Sequence, residues 1–181
     1  MKQNFSKIIR RLKDNDLSLT DVNLSASLVY GEEMMLAEAL NMNHIATSLN
    51  ISYNTIEIDG LIAIIRTLKN NSLLTMINLS RTSIKDLKHN PVFYKYPVNE
   101  LRDALVANNT LTSIDLRDNY LNEGGVIIAS VLKNNSSLLS LSLEMNNIRS
   151  EGAEALAEAL KYNSTLTSLN IKRNRISSDG V

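Results

Sequence analysis

The sequence predicts an α/β solenoid, a right-handed, curved stack of strand-and-helix repeats with a parallel sheet on its concave face and helices on its convex face. Three observations predict it: a repeated motif, a helical pattern between its copies, and an asparagine at a fixed distance after each predicted helix. The motif is clearest at Leu138-x-x-Leu141-x-Leu143-x-x-Asn146-x-Ile148, and a further copy begins at Leu166. Self-similarity at such a period is typical of a solenoid.

Six copies of the motif can be placed in register. Their first positions are Leu19, Ala46, Leu74, Leu111, Leu138 and Leu166. These positions are evenly spaced, except that the step from Leu74 to Leu111 is longer than the others by about nine residues. We therefore predict one domain over residues 1–181, with an insertion at about 85–96 and an incomplete last repeat.

Helical segments are predicted between the motifs. Their apolar residues recur at i, i+3, i+4 and i+7, which is typical of a helix with one buried face. The same register at Phe5, Ile8, Ile9 and Leu12 predicts an N-terminal capping helix within residues 1–18. Its basic residues would then face water, and a membrane-surface role is an alternative for them. They are Lys7, Arg10, Arg11 and Lys13.

An asparagine follows the last leucine of each predicted helix by three residues. Asparagine tolerates the left-handed backbone conformation that often ends a helix. This row of asparagines therefore predicts left-handed C-terminal caps. Its members are Asn15, Asn43, Asn71, Asn108, Asn135 and Asn163.

Together these motifs resemble the leucine-rich repeat family, in its ribonuclease-inhibitor-like class, over nearly the whole chain. The resemblance implies helices on the convex side and a motif asparagine that bonds to backbone in the turn after each strand. The chain departs from the family pattern at Ala46, where a leucine is expected, and at Ser27 and Thr82, where the asparagine is missing. The resemblance implies a fold and leaves the partner open, because solenoids carry many unrelated binding sites.

Composition narrows the classes of function. The 19 basic and 19 acidic residues cancel, which argues against nucleic acid or an anionic membrane as the partner. The sequence has no cysteine and no apolar run of membrane-spanning length. We expect a cytoplasmic protein, or one delivered into a host cytosol if it is a microbial effector.

The residues between the motif leucines predict a binding surface. Strand alternation sends motif positions 5 and 7 to the concave face, and position 8 adjoins them. These positions are mostly small and neutral in the first three repeats and charged in the last three. An alternative is that the charges only pair with one another across neighbouring repeats. We predict a partner-binding patch of Arg117, Asp118, Glu144, Met145, Lys172 and Arg173, with Tyr53 and Arg81 at position 8 of earlier repeats.

The insertion is the second predicted binding element. It contains both prolines of the chain and the aromatic residues Phe93, Tyr94 and Tyr96. Proline reduces the ordering cost of a loop, and aromatic side chains are common anchors at interfaces. The alternative is that these aromatic residues fold back and cover the core where the solenoid is interrupted.

Catalysis and cofactors are not predicted. The two histidines, His44 and His89, fall in different loops, with no carboxylate at ligand spacing. We therefore predict a non-catalytic scaffold that binds a protein partner, with no cofactor and no metal. Two alternatives are a GTPase-activating regulator, which some family members are, and a self-assembling element. In the latter, a homodimer would cover the apolar residues of the last repeat, Leu166, Leu169, Ile171 and Ile176.

Overall fold

Strands and helices alternate along the chain as predicted. The computed structural model describes residues 5–29, 31–84 and 95–177. In chain order the elements are α1 (Phe5–Lys13), β1 (Asp21–Asn23), α2 (Glu32–Met42), β2 (Ser48–Asn50), β3 (Thr55–Ile56), α3 (Ile58–Thr67), β4 (Met76–Asn78), β5 (Ser83–Ile84), α4 (Lys95–Ala107), β6 (Ser113–Asp115), α5 (Gly124–Leu132), β7 (Ser140–Ser142), α6 (Arg149–Leu160) and β8 (Ser168–Asn170).

Six of the strands form one parallel sheet in the order β1, β2, β4, β6, β7, β8. The register is the same at every step, since the central residue of each strand lies opposite the central residue of the next. These central residues are motif position 4, and they point into the core between sheet and helices. The predicted parallel sheet of the α/β solenoid is confirmed.

The core consists of stacked motif residues and the inner faces of the helices. Leu24, Ile51 and Leu143, all at motif position 6, have no measurable exposure. Ala46 occupies its leucine position fully buried, so the smaller side chain leaves the register unchanged. In the last repeat Leu166 is only partly buried, whereas its counterparts in the other repeats are buried.

The prediction that the helix-end asparagines form left-handed caps is wrong for five of the six. Only Asn15 has a left-handed backbone, with φ 53°, whereas Asn43 is extended at φ −88°. The side chain of Asn43 accepts hydrogen bonds from the N–H groups of Ile45 (3.1 Å) and Ala46 (2.7 Å) and donates to the Leu12 carbonyl (2.9 Å). The residue is therefore suited to this position by its amide, which orders the loop and joins it to the preceding repeat. The same bonds recur at Asn108, Asn135 and Asn163.

The motif asparagine at position 9 joins neighbouring repeats through a second ladder. Asn146 is buried, donates to the carbonyl of Leu116 (2.8 Å) and accepts from the N–H of Asn119 (2.9 Å), both in the preceding repeat. Where the asparagine is missing, the hydroxyl bonds only within its own repeat. Ser27 donates to the carbonyl of Ser25, and Thr82 donates to that of Leu79.

Left-handed backbone appears instead just after the strands. Motif position 8 has a φ between 48° and 58° in all six repeats, at Ala26, Tyr53, Arg81, Asp118, Met145 and Arg173. A non-glycine residue with positive φ is uncommon. Because the conformation recurs in every repeat whatever the side chain, it belongs to the turn that ends each strand.

Candidate functional site

The concave face is built from the outward positions of the six strands. At position 5 the side-chain oxygen of Asn50 accepts the N–H of Ser52 at 3.0 Å, two residues further on. Asn23, Asn78, Asp115 and Asn170 make the same bond. Position 5 is thus partly engaged in ordering its own turn, which leaves fewer free polar groups on this face than the sequence predicted.

Position 7 in the second and third repeats is less exposed than predicted. Ser52 and Ser80 are both buried, although we expected their hydroxyls on the concave face. A serine side chain is short, so larger neighbours along and across the strands cover it. The Ser80 hydroxyl has no hydrogen-bond partner among the described residues. These two positions therefore supply little surface to a partner.

Three of the predicted site residues form a linked row across repeats two to four. The Nε of Arg81 contacts Oδ2 of Asp118 at 2.8 Å. On its other side the Arg81 guanidinium carbon lies 5.2 Å from the centroid of the Tyr53 ring, within the range of a cation–π contact. This arrangement holds an arginine between an aromatic ring and a carboxylate.

A second group joins the fifth and sixth repeats. The Arg173 guanidinium lies 3.7 Å from Oε1 of Glu144, and it also approaches the sulfur of Met145 at 3.9 Å. The side chain of Asn170 donates to the other Glu144 oxygen at 3.2 Å. Pairing across repeats, the alternative we considered, therefore describes both groups.

Two predicted site residues stay apart from these groups. Arg117 lies 4.0 Å from Asp115 of its own repeat, at the limit of an ion pair. Lys172 makes no side-chain ion pair or hydrogen bond with any residue that the structure describes, and it is exposed. These two cations are the least constrained members of the predicted patch.

The insertion is largely outside the described residues. Phe93 and Tyr94 lie outside the residues that the structure describes. For Tyr96 the structure describes the backbone, which lies in α4, but not the side chain. An apolar cavity of about 50 Å³ lies between the third and fourth repeats, near the start of α4, and its walls include Leu61, Leu79 and Val98. Whether the insertion binds a partner or covers the core stays a prediction.

Sequence reasoning missed several exposed residues. Met76, at motif position 3 of the central strand β4, is 52% exposed, and Tyr120 at position 10 is 64% exposed. Arg149 and Arg175 at positions 12 and 10 are also exposed, with left-handed φ values of 63° and 54°. Position 3 lies on the same face of the strand as position 5, so its exposure could have been predicted from strand periodicity. Positions 10 and 12 could not, because their direction depends on the turn geometry.

The described residues contain no group of three or more histidine, aspartate or glutamate side chains arranged to hold a metal ion. Within the same residues, none of the helices has both the length and the apolar character to cross a membrane.

The repeated motif, the parallel sheet and the asparagine ladders define this chain as a leucine-rich repeat protein. A family model described as Leucine Rich repeat matches residues 47–64, 107–127, 134–157 and 162–181. The resemblance found in the sequence is therefore confirmed.

Comparisons with individual proteins point to one group of relatives. Human leiomodin-1 is 29% identical over an alignment of 142 residues, which covers 76% of this chain and 22% of leiomodin-1. The solved structure of leiomodin-1 actin-binding site 2 superimposes with a TM-score of 0.71 at 24% identity, covering 90% of this chain and 91% of that one. The solved structure of the Caenorhabditis elegans tropomodulin C-terminal domain superimposes with a TM-score of 0.67 at 18% identity. The superposition covers 89% of this chain and 93% of that domain. The chain spans about a fifth of leiomodin-1, so the comparison concerns one domain of that protein.

Proposed function

We propose that this chain is a non-enzymatic protein-binding domain that holds its partner against the concave sheet, and that actin is the first partner to test. The concave sheet is a continuous six-stranded surface whose strands all have the same register. A partner laid across it meets side chains from all six repeats at once.

The observation that carries this proposal is the exposure of large apolar side chains beside the strands. Met76 is 52% exposed at one end of the central strand β4, and Tyr53 is 52% exposed in the turn after β2. Methionine and tyrosine are enriched in the centres of protein interfaces. Methionine contributes a flexible apolar side chain, and tyrosine contributes a rigid ring. The register places Met76 beside Ser48 and Ser113, and Tyr53 lies at the other end of the strands beside Arg81. The two exposed apolar side chains are therefore separate contact points on the same sheet.

Actin is suggested by the relatives. The solved structure with a TM-score of 0.71 is an actin-binding site of leiomodin-1, and leiomodin-1 is also the relative that is 29% identical in sequence. A cytoplasmic location would follow from such a partner. The aromatic insertion remains a proposed second contact of the same partner.

The test is co-sedimentation with filamentous actin and gel filtration with monomeric actin. We expect Met76→Glu to weaken binding about tenfold or more, because it replaces an exposed apolar side chain of the concave sheet with a carboxylate. Met42→Glu is the matched control, since Met42 is 50% exposed at the end of the convex helix α2. Equal effects of the two substitutions would place the interface elsewhere, and binding to neither form of actin would reject actin as the partner.

The two other functions named from the sequence stay predictions. A GTPase-activating role requires faster single-turnover GTP hydrolysis when this chain is added to a GTPase. Self-association through the last repeat requires a mass in solution that rises with concentration.

A further inference from the structure

Six exposed side chains, five in the turns after the strands and one at the first residue of α6, form a surface that we call the loop rim: Tyr53, Arg81, Tyr120, Arg149, Arg173 and Arg175. We propose that the loop rim is a docking site for an acidic, extended segment of a protein partner. The inference rests on the proposed function, that the chain binds a protein, and adds a second surface with a defined chemistry.

The backbone of the loop rim is held in one uncommon conformation. All six residues have left-handed φ values, between 51° and 63°. Several of their N–H groups are bonded to the next repeat, as in the bonds from Tyr53 to the Ser80 carbonyl and from Arg149 to that of Asn174, both 3.0 Å. Because the backbone is already fixed, binding of a ligand costs little ordering entropy at these turns.

The ion pairs in the rim are asymmetric in exposure. In the pair between Arg81 and Asp118, the arginine side chain is 49% exposed and the carboxylate side chain only 20%. In the pair between Arg173 and Glu144 the values are 73% and 16%. Each carboxylate therefore lies beneath its arginine, so a ligand approaching from solvent meets the guanidinium first.

Two further guanidiniums have no ion-pair partner among the residues that the structure describes. Arg149 and Arg175 make no ion pair with any residue in the described ranges, and both are exposed. Two exposed carboxylates lie nearby, with Glu123 three residues after Tyr120 and Glu151 two residues after Arg149. The rim itself carries four arginines and two tyrosines, which are among the residue types that dominate binding energies at interfaces.

The dimensions fit a short extended segment. The rim runs from the second to the sixth repeat, which is four strand steps of about 4.8 Å, or about 19 Å. An extended chain advances about 3.3 Å per residue, so about six residues would span it. A protein segment is favoured over nucleic acid because the chain has 19 basic and 19 acidic residues, and no net field attracts a phosphate backbone.

The test uses a labelled synthetic peptide of about twelve residues rich in glutamate, with fluorescence anisotropy at low salt. We expect the double variant Arg149→Glu/Arg175→Glu to weaken binding about tenfold or more, since two attractive charges become repulsive. Lys7→Glu/Arg10→Glu in α1 is the control, because it makes the same change in net charge on an exposed helix at the far end of the chain. Arg149→Lys/Arg175→Lys should retain most of the binding, and higher salt should weaken it.

Several outcomes would overturn the proposal. They are equal losses in the rim and control variants, equal binding of a peptide with glutamine in place of glutamate, and tighter binding of a thymidine oligonucleotide than of the acidic peptide. The Met76→Glu variant separates this inference from the proposed function. It should retain the acidic peptide while it loses actin, and loss of the peptide in that variant would place the acidic segment on the concave face instead.

Discussion

The first three repeats and the last three share one fold and differ in how each strand turns towards its helix. In the first half, short strands pair again after the turn, where Thr55 and Ile56 of β3 lie beside β5. In the second half, left-handed residues occupy position 10 of each repeat and position 12 of the fourth and fifth repeats, as at Asn147 and Arg149. The residue at position 9 also differs between the two halves. The first half has Ser27, Asn54 and Thr82 there, and the second half has Asn119, Asn146 and Asn174.

The residue at position 9 accompanies this difference but does not set it alone, since Asn54 in the first half makes the same bonds to the preceding repeat. An asparagine at position 9 can bond two backbone groups of the preceding repeat, and the second half has three such residues in succession. Asn146 bonds the turn that carries Tyr120, and Asn174 bonds the turn that carries Arg149. Four of the six loop-rim residues lie in the second half, where every repeat has an asparagine at position 9.

The largest effect is expected from breaking that ladder. Asn146→Ala removes the partner of the Asn119 N–H and of the Leu116 carbonyl in a buried site. Each buried polar group left without a partner costs about 1–3 kcal/mol, so we expect the free energy of unfolding to fall by about 3 kcal/mol. Urea unfolding followed by circular dichroism measures it.

The matched substitution in the first half is Ser27→Ala. The Ser27 hydroxyl bonds only to the carbonyl of Ser25, so we expect a loss below about 1 kcal/mol. If the two substitutions destabilised the protein equally, the ladder would not distinguish the two halves.

Much of the fold could be predicted because the same motif recurs six times in the sequence. The parallel sheet, its shared register and the buried motif positions follow from leucine spacing and strand alternation, and Val22 and Leu141 lie where these rules place them. The helix-end asparagines were placed correctly in sequence but given the wrong reason, left-handed φ instead of amide hydrogen bonds. Periodicity locates a residue, whereas the bond it makes depends on the neighbouring repeat.

The candidate site was less predictable for the same reason. The charges of Arg81 and Asp118 could be read from the sequence, but their pairing depends on the stacking of two repeats. The rim residues Arg149 and Arg175 were missed because strand alternation stops at the turn. Beyond that point the direction of a side chain depends on the backbone φ of the turn, which a hydrophobic pattern does not predict.

A smaller effect, of opposite sign in the two halves, is expected from glycine at position 12. Arg149 has a left-handed backbone with φ 63°. Arg149→Gly should therefore relieve strain and stabilise the fold by about 1 kcal/mol. Glu57 holds the same position in the second repeat, and its φ of −75° is one that any residue adopts. Glu57→Gly should therefore destabilise the fold by about 0.5–1 kcal/mol, because glycine loses more backbone entropy on folding. Thermal unfolding compares them, and changes of the same sign would show that the turns do not differ in strain.

The smallest effect is expected at the contact that joins the two halves. Arg81 in the third repeat pairs with Asp118 in the fourth, and both side chains retain solvent exposure. A double-mutant cycle with Arg81→Gln and Asp118→Asn should give a coupling energy of about 0.5 kcal/mol that falls as salt rises. The exposed pair of Lys161 and Glu158 at the C-terminal end of α6 is the reference, with an expected coupling of about 0.3 kcal/mol. A coupling of zero at low salt would mean that the Tyr53 ring alone positions the arginine, and the two halves would then be joined only by the sheet and the core.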